Sequence, residues 1–211
     1  MRGFWKGLFK VVLALAVVAA IVIAVLRAFF VDVVTVAHNG MAPTMLLGDR
    51  VLVWRGAHLD RNDIVLCRHA MQPDRWVMGR IAALPGESLS VDGRGQLVVG
   101  GSAVDRDIQG RGHFVDSETG RGYPVMWGIE QFSDYQEHRF FDRTDRRFTM
   151  RAQSDIGGVF LLGDNRGHHG EDSRAFGVVS PETCRGQVFM RLSAADGMPE
   201  GIPHGNLDIL D

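Results

Sequence analysis

The groups that could do chemistry are few and sit in short, separate stretches. His38 stands two residues before Gly40, and His168 and His169 adjoin in Gly167-His168-His169-Gly170. Imidazoles titrate near neutrality and ligate metals, so these are general-base or zinc-ligand candidates. The plainer reading is partly exposed loop histidines. Gly163-Asp164-Asn165-Arg166 is followed by Asp172-Ser173-Arg174. Asp164, Arg166, Asp172 and Arg174 could form bidentate contacts that pin two loops. The hydroxyls nearest His38 belong to Thr35 and Thr44. An amine base is confined to the first ten residues, because the only lysines are Lys6 and Lys10. Cys67 and Cys184 lack metal-ligand spacing. Cys67 lies in an apolar run and reads most simply as a small buried hydrophobe. A disulfide between them in an oxidising compartment stays open.

The elements that must position these groups follow from pattern. Residues 11–26 carry no charge, and the apolar stretch reaches spanning length over 7–30 if Lys10 and Arg27 snorkel to the interfaces. Trp5, Phe9, Phe29 and Phe30 flank it. Arg2, Lys6 and Lys10 precede it and Arg27 follows, which predicts a cytoplasmic N-terminus (1–6) and everything after about residue 30 on the far side. The end of the run, Ala24-Val25-Leu26-Arg27, is no small-x-small cleavage site, so an uncleaved anchor is expected. Beyond it, Val31 to Val36, Arg50 to Trp54, Asp63 to Cys67, Trp76 to Ala82, Ser88 to Val91, Gln96 to Val99, Val159 to Leu162 and Gln187 to Leu192 read as strands between Gly, Asp, Asn and Pro clusters. The expected fold is mostly β: an antiparallel β domain over 31–193 after one N-terminal transmembrane helix. Residues 105–157, rich in Arg, Asp, Gly and aromatics, read as a small β cap, and 194–211 as a flexible tail.

Between anchor and first long strand lies His38-Asn39-Gly40-Met41-Ala42-Pro43-Thr44-Met45-Leu46-Leu47-Gly48-Asp49. Pro43 pushes Ala42 towards an extended backbone, so a held loop just outside the membrane is expected. Met41, Met45, Leu46 and Leu47 could dip into the outer leaflet. A formal net charge of −2 gives no pointer to nucleic acid or to a polybasic lipid surface.

In their order along the chain these stretches resemble the bacterial signal peptidase I family. Met41, Pro43, Thr44, Gly48 and Asp49 match its Ser-x-Ser-Met-x-Pro-Thr-Leu segment and the Gly-Asp that follows. Arg27 stands thirteen residues before Gly40, the family's usual distance from membrane edge to nucleophile. Arg61-Asn62-Asp63-Ile64-Val65 is similar to its Gly-Asp-Ile-Val strand. Gly79-Arg80 through Pro85-Gly86-Glu87 is similar to its Lys-Arg-x-x-Gly-x-Pro-Gly-Asp segment. Gly163, Asp164, Asn165, Arg166, Asp172, Ser173, Arg174 and Gly177 resemble its Gly-Asp-Asn-Arg motif, with one extra residue in the spacing.

The resemblance implies a membrane-bound serine endopeptidase that removes signal peptides with a serine nucleophile and a lysine base. Here the nucleophile's place is Gly40, the base's place is Gly79, and the oxyanion hydroxyl's place is His38. The serine that orients the lysine falls within Gly167-His168-His169-Gly170. Loss of either dyad member costs on the order of a millionfold in related serine hydrolases. The expectation is a cofactor-free, non-catalytic homologue in the bacterial cytoplasmic membrane. It would bind signal peptides, exported precursor proteins or an active signal peptidase. The alternative is a working peptidase with non-standard groups, such as His38 with Ser173 or a bound water. If His38, His168 and His169 converge as the family fold implies, a metal site is a further alternative.

Overall fold

The computed structural model describes residues 2–133 and 136–210. Residues 1, 134, 135 and 211, which belong to the expected N-terminus, cap and tail, lie outside the described residues. The chain runs α1 (Arg2–Phe29), β1 (Val31–Thr35), a 3-10 turn (Asn39–Met41), β2 (Arg50–Arg55), β3 (Ile64–Arg68) and β4 (Trp76–Ala83). It continues through β5 (Leu89–Val91), β6 (Leu97–Val99), β7 (Ser102–Ala103), β8 (Asp105–Asp116), β9 (Arg121–Ser133) and β10 (Gln136–Arg143). It ends with β11 (Phe160–Leu162), α2 (Ser173–Phe176), β12 (Cys184–Ser193) and β13 (Asp208–Ile209).

Helix α1 is apolar on every side. Its stretch Phe4–Phe29 is long and apolar enough to cross a membrane and packs none of that surface inside the protein, as a lipid-facing helix must. It passes directly into β1. Arg55 secures the junction by donating to the Ala28 carbonyl at 2.9 Å and pairing with Asp32.

The main sheet has seven strands in the order β1-β2-β12-β3-β4-β11, with β13 added on β12. Every pairing is antiparallel. Alternating burial along β2 (Val51 and Val53 in, Trp54 out) shows why period-two sequence becomes strand here. Strands β3 and β4 are buried almost throughout, consistent with their unbroken apolar runs. Cys67 and Cys184 are register partners on β3 and β12 and form a disulfide, which settles the pairing that sequence leaves open.

Between β4 and β11, which are neighbours in the main sheet, the chain builds two three-stranded sheets, β5-β6-β7 and β8-β9-β10. The β5–β6 turn is an Asp92-Gly93-Arg94-Gly95 hairpin, closed by Asp92 N–H to the Gln96 carbonyl at 2.9 Å. Gly95 sits there at φ +83°, a conformation that glycine adopts without a Cβ penalty. In the β8–β9–β10 sheet, Phe114, Tyr123, Val125 and Phe141 pack onto Ala42 and Leu46. This contact lays the sheet against the loop that carries Gly40.

Two expectations are corrected. Met41, Met45 and Leu46 do not face lipid. Met41 and Met45 are fully buried against Val51, Val53, Ile64 and Val188 of the main sheet. Residues 194–210, expected as a loose tail, dock. Ile202 joins the Ala42 cluster, Leu210 joins the main core, and β13 pairs with β12. The physical reason is Arg191, fully buried, which donates to the carbonyls of Thr44 (2.6 Å) and Gly205 (2.8 Å) and to Asp208 (2.5 Å).

Candidate functional site

The site is built around the 3-10 turn at Asn39–Met41. His38 caps it in an extended conformation, and its Nδ1 accepts the Gly40 N–H at 3.0 Å. Asn39, fully inside, ties the turn to the tip of the β8–β9 hairpin. Its amide donates to Asp116 Oδ1 (2.7 Å) and Ser117 Oγ (3.0 Å), and its backbone N–H donates to Glu118 Oε2 (3.1 Å). The loop after β11 closes the other side. Asn165 N–H donates to the Gly40 carbonyl at 3.0 Å, and Asn165 Nδ2 donates to the Asn39 carbonyl at 3.1 Å. Gly163 must be glycine, because a Cβ there would run into the Gly40 carbonyl.

Beneath the turn lies a buried ion network. Arg80 on β4 grips Asp164 with Nε to Oδ1 at 3.0 Å and Nη2 to Oδ2 at 2.9 Å. Thr44 Oγ1 donates to Asp164 Oδ2 at 2.5 Å. Arg166 pairs with Glu130 on β9 and donates to the Gly163 carbonyl. Burial alone would raise the Glu130 carboxyl, but the Arg166 guanidinium, with His138 and Arg106, holds it well below the usual range. Asp164 is lowered against its own burial in the same way, chiefly by Arg80. Asp172 accepts the Gly163 N–H at 3.1 Å and pairs with Arg174, whose Nη groups reach the carbonyls of Arg166 (2.9 Å) and His168 (2.7 Å). The charged motif is thus a set of loop clamps in which Asp172 pairs with Arg174, whereas Asp164 and Arg166 take Arg80 and Glu130 as partners. Ser173 Oγ accepts the Leu161 N–H at 2.9 Å and supports that loop. Thr44 and Ser173 therefore both have their hydroxyls committed.

Gly79 is buried on β4, opposite Val65, and the turn carrying Gly40 packs beside this strand. Neither glycine leaves open room for a side chain. A Cβ at residue 40 would lie 2.7 Å from His38 Nδ1, and one at residue 79 would lie 3.0 Å from Leu161 Cβ. The imidazole of His38 crowds the first of these positions and the Leu161 side chain the second.

Of the expected histidines, two meet. The His38 and His168 rings stack at 5.7 Å with 23° between planes. His169 is exposed and joins no ligand cluster among the described residues. His168 instead faces the hairpin tip. Its Nε2 lies 3.3 Å from Glu118 Oε2, and Asp116, Glu118 and His168 bring ligand-type atoms within 4.8 Å of one another. His168 Nδ1 is buried, has no hydrogen-bond partner among the described residues, and would stand 3.5 Å from a Cβ at residue 40. Burial lowers the His38 pKa, with His168 adding to the effect, so His38 is neutral and suited to accept the Gly40 N–H. Asn39, Asp116, Glu118 and Glu130 carry no local signal in the sequence. Asn39 meets Asp116 across 77 positions.

The chain matches the family model for signal peptidase, peptidase S26, over residues 8–193. It is similar to signal peptidase I of Pseudomonas aeruginosa, with 25% identity over 169 residues. That match covers 72% of this chain and 58% of the relative, so the chain spans little more than half of the relative's length.

Proposed function

We propose that this chain, which belongs to the signal peptidase family, peptidase S26, is a membrane-anchored homologue that recognises signal-peptide segments of exported precursors without the family's Ser–Lys cleavage. The observation that carries this reading is the pair of filled glycine positions. A glycine offers neither a nucleophilic atom nor a titrating one, and a Cβ would meet His38 Nδ1 at 2.7 Å at residue 40 and Leu161 Cβ at 3.0 Å at residue 79. The scaffold around them is intact: the turn, the Arg80–Asp164 pair and the Asp172–Arg174 clamp are all formed. Function resides in such a site and not in the fold. The free edge of β1, outermost in the main sheet, offers backbone groups to an extended peptide, which would bind by adding a strand. An active signal peptidase is the other partner that this surface suits.

The reading sets the chain in the bacterial cytoplasmic membrane with its N-terminus inside, supported by the apolar helix α1 and by Arg2, Lys6 and Lys10 ahead of the apolar run. The Cys67–Cys184 disulfide supports an extracytoplasmic site for residues 31–193, because such bonds persist in oxidising compartments.

The test is a cleavage and crosslinking assay with full-length protein in lipid and a precursor carrying an Ala-x-Ala site. Crosslinking to the precursor with no product by mass spectrometry is the expected result. A single cut after the second Ala, retained in stringently repurified protein, would overturn the non-catalytic reading.

A further inference from the structure

We propose that His168 and Glu118 form an imidazole–carboxylate base trained on position 40, where it takes the proton from an oxygen nucleophile and supports slow hydrolysis of acyl compounds by water. This goes beyond the binding role and stands whether or not signal peptides bind.

A neutral imidazole has one donor nitrogen and one acceptor nitrogen. Nε2 of His168 lies 3.3 Å from Glu118 Oε2, so the proton belongs on Nε2 and the lone pair on Nδ1. That Nδ1 is buried and unpartnered, 3.5 Å from the Cβ position of residue 40. A buried acceptor without a donor disfavours the folded state, and in native structures such groups often mark a catalytic role. The pair is also held in place. His168 N–H donates to the Asn165 carbonyl at 3.1 Å, and Arg174 holds the His168 carbonyl. Glu118 Oε2 accepts the Asn39 N–H as well, which ties the carboxylate to the turn that carries Gly40. A base aimed at a nucleophile position, and oriented by a carboxylate on its far nitrogen, is the arrangement that hydrolytic triads use.

In the reaction, the His38 ring swings off Gly40, and a water that takes its place attacks the acyl carbonyl carbon while its proton passes to His168 Nδ1. The resulting imidazolium, stabilised by Glu118, returns that proton to the leaving oxygen as the ester bond breaks. One water is consumed, and nothing is oxidised or reduced. The Gly40 N–H is the natural donor to the oxyanion, yet it is taken by His38 Nδ1 at 3.0 Å. His38 therefore restrains the site, and the native chain is slow.

The experiment has two parts. First, full-length protein in detergent is assayed with p-nitrophenyl acetate. Hydrolysis is expected to fall to the level of the denatured chain in His168→Ala, to rise in His38→Ala, and to stay unchanged in His58→Ala, at an exposed site on the β2–β3 connection. Second, the double variant His38→Ser, Gly40→Ser is treated with a fluorophosphonate. A covalent adduct at residue 40 is expected, with labelling slowed about a hundredfold when His168→Ala is added. Glu118→Ala should lower the maximal labelling rate without altering probe affinity, and Glu118→Asp should restore part of it. A folded double variant that does not label, or that labels equally without His168, overturns the proposal. Should the double variant not fold, native hydrolysis indifferent to His168→Ala overturns it alone. Precursor crosslinking, read on the same samples, reports separately on the binding role.

Discussion

Gly40→Ser should destabilise the chain, and removing His38 should cancel most of that cost. The added Cβ lies 2.7 Å from His38 Nδ1 and 3.0 Å from its Cε1, closer than unstrained atoms approach. The imidazole must leave, because the Gly40 backbone is fixed from the other side by Asn165. Forcing extra atoms into a filled site costs about 1–3 kcal/mol, and the lost bond from Gly40 N–H to His38 Nδ1 about 1 kcal/mol more. Gly40→Ser alone should therefore cost about 2–4 kcal/mol. His38→Ser alone should cost about 1 kcal/mol, since a serine at the cap position can still accept the turn's N–H. In the double variant the new side chain enters vacated space, so the strain term disappears. The cycle predicts a coupling of about 2 kcal/mol in favour of the pair. Urea unfolding of the four proteins in one detergent, followed by near-ultraviolet circular dichroism, measures it. Effects that add to within about 0.5 kcal/mol would refute the claim that His38 occupies the nucleophile's room.

Other outcomes follow from the clamps. Cys67→Ser should lower stability by about 3–5 kcal/mol, since the bond closes a loop of 117 positions, and reductant should lower the wild-type melting point while leaving the variant's unchanged. Glu130 is held below its ordinary pKa by Arg166, His138 and Arg106. Its contribution should be complete above about pH 4.3 and be lost as pH falls through the folded-state value. Glu130→Gln should flatten that acid slope in pH-dependent melts while costing about 3–5 kcal/mol at neutral pH, because two arginines lose their buried counter-charge. Arg191→Ala should release the segment after Ser193, seen as faster proteolytic trimming of residues 194–210 with β12 still protected.

The parts of the fold visible in sequence were those whose signal is local. The anchor is a run with no charge, and the strands of the main sheet alternate or stay apolar over five to eight residues, as β2 and β4 do. The tail misled because its Gly- and Pro-rich composition looks unfolded. What holds it is one buried arginine in β12 reaching Gly205 and Asp208, and no composition rule reports that. Strand β8 was legible only as part of a β cap, without bounds of its own. Most of its residues are exposed, with Phe114 and Asp116 among the few turned inward, so it lacks the apolar alternation that announces a strand. At the site, the absence of a hydroxyl or an amine at residues 40 and 79 was legible from residue identity. That Glu118 and Asp116 face His168 was not, because the hairpin tip folds back over a turn more than seventy positions earlier.

The motif that most strongly ties this chain to its family turns out to do work that needs no catalysis. Asp164 joins Arg80 on β4 to Thr44 in the loop, Asn165 ties down the Asn39 and Gly40 carbonyls of the 3-10 turn, and Arg166 reaches across to Glu130 on β9. Together they bind the main sheet, the turn and the β8–β9–β10 sheet into one body. Removing any of these charges strands its partners in a buried setting, at about 3–5 kcal/mol each. On the proposed reading, glycine at residues 40 and 79 strands nothing, because neither residue carries a clamp. The two kinds of position are therefore under different physical constraints. The clamps must persist for the chain to fold, whereas positions 40 and 79 are free to change once their chemistry is not required. It follows that Asp164→Asn should unfold this protein as readily as it would an active peptidase, and that thermal melts of Asp164→Asn beside Gly79→Ala separate the two roles. A large loss in the first and a small one in the second, limited to the give of Leu161 against a Cβ at 3.0 Å, is the expected pattern. The reverse order would mean that the motif's charges serve the site and not the fold.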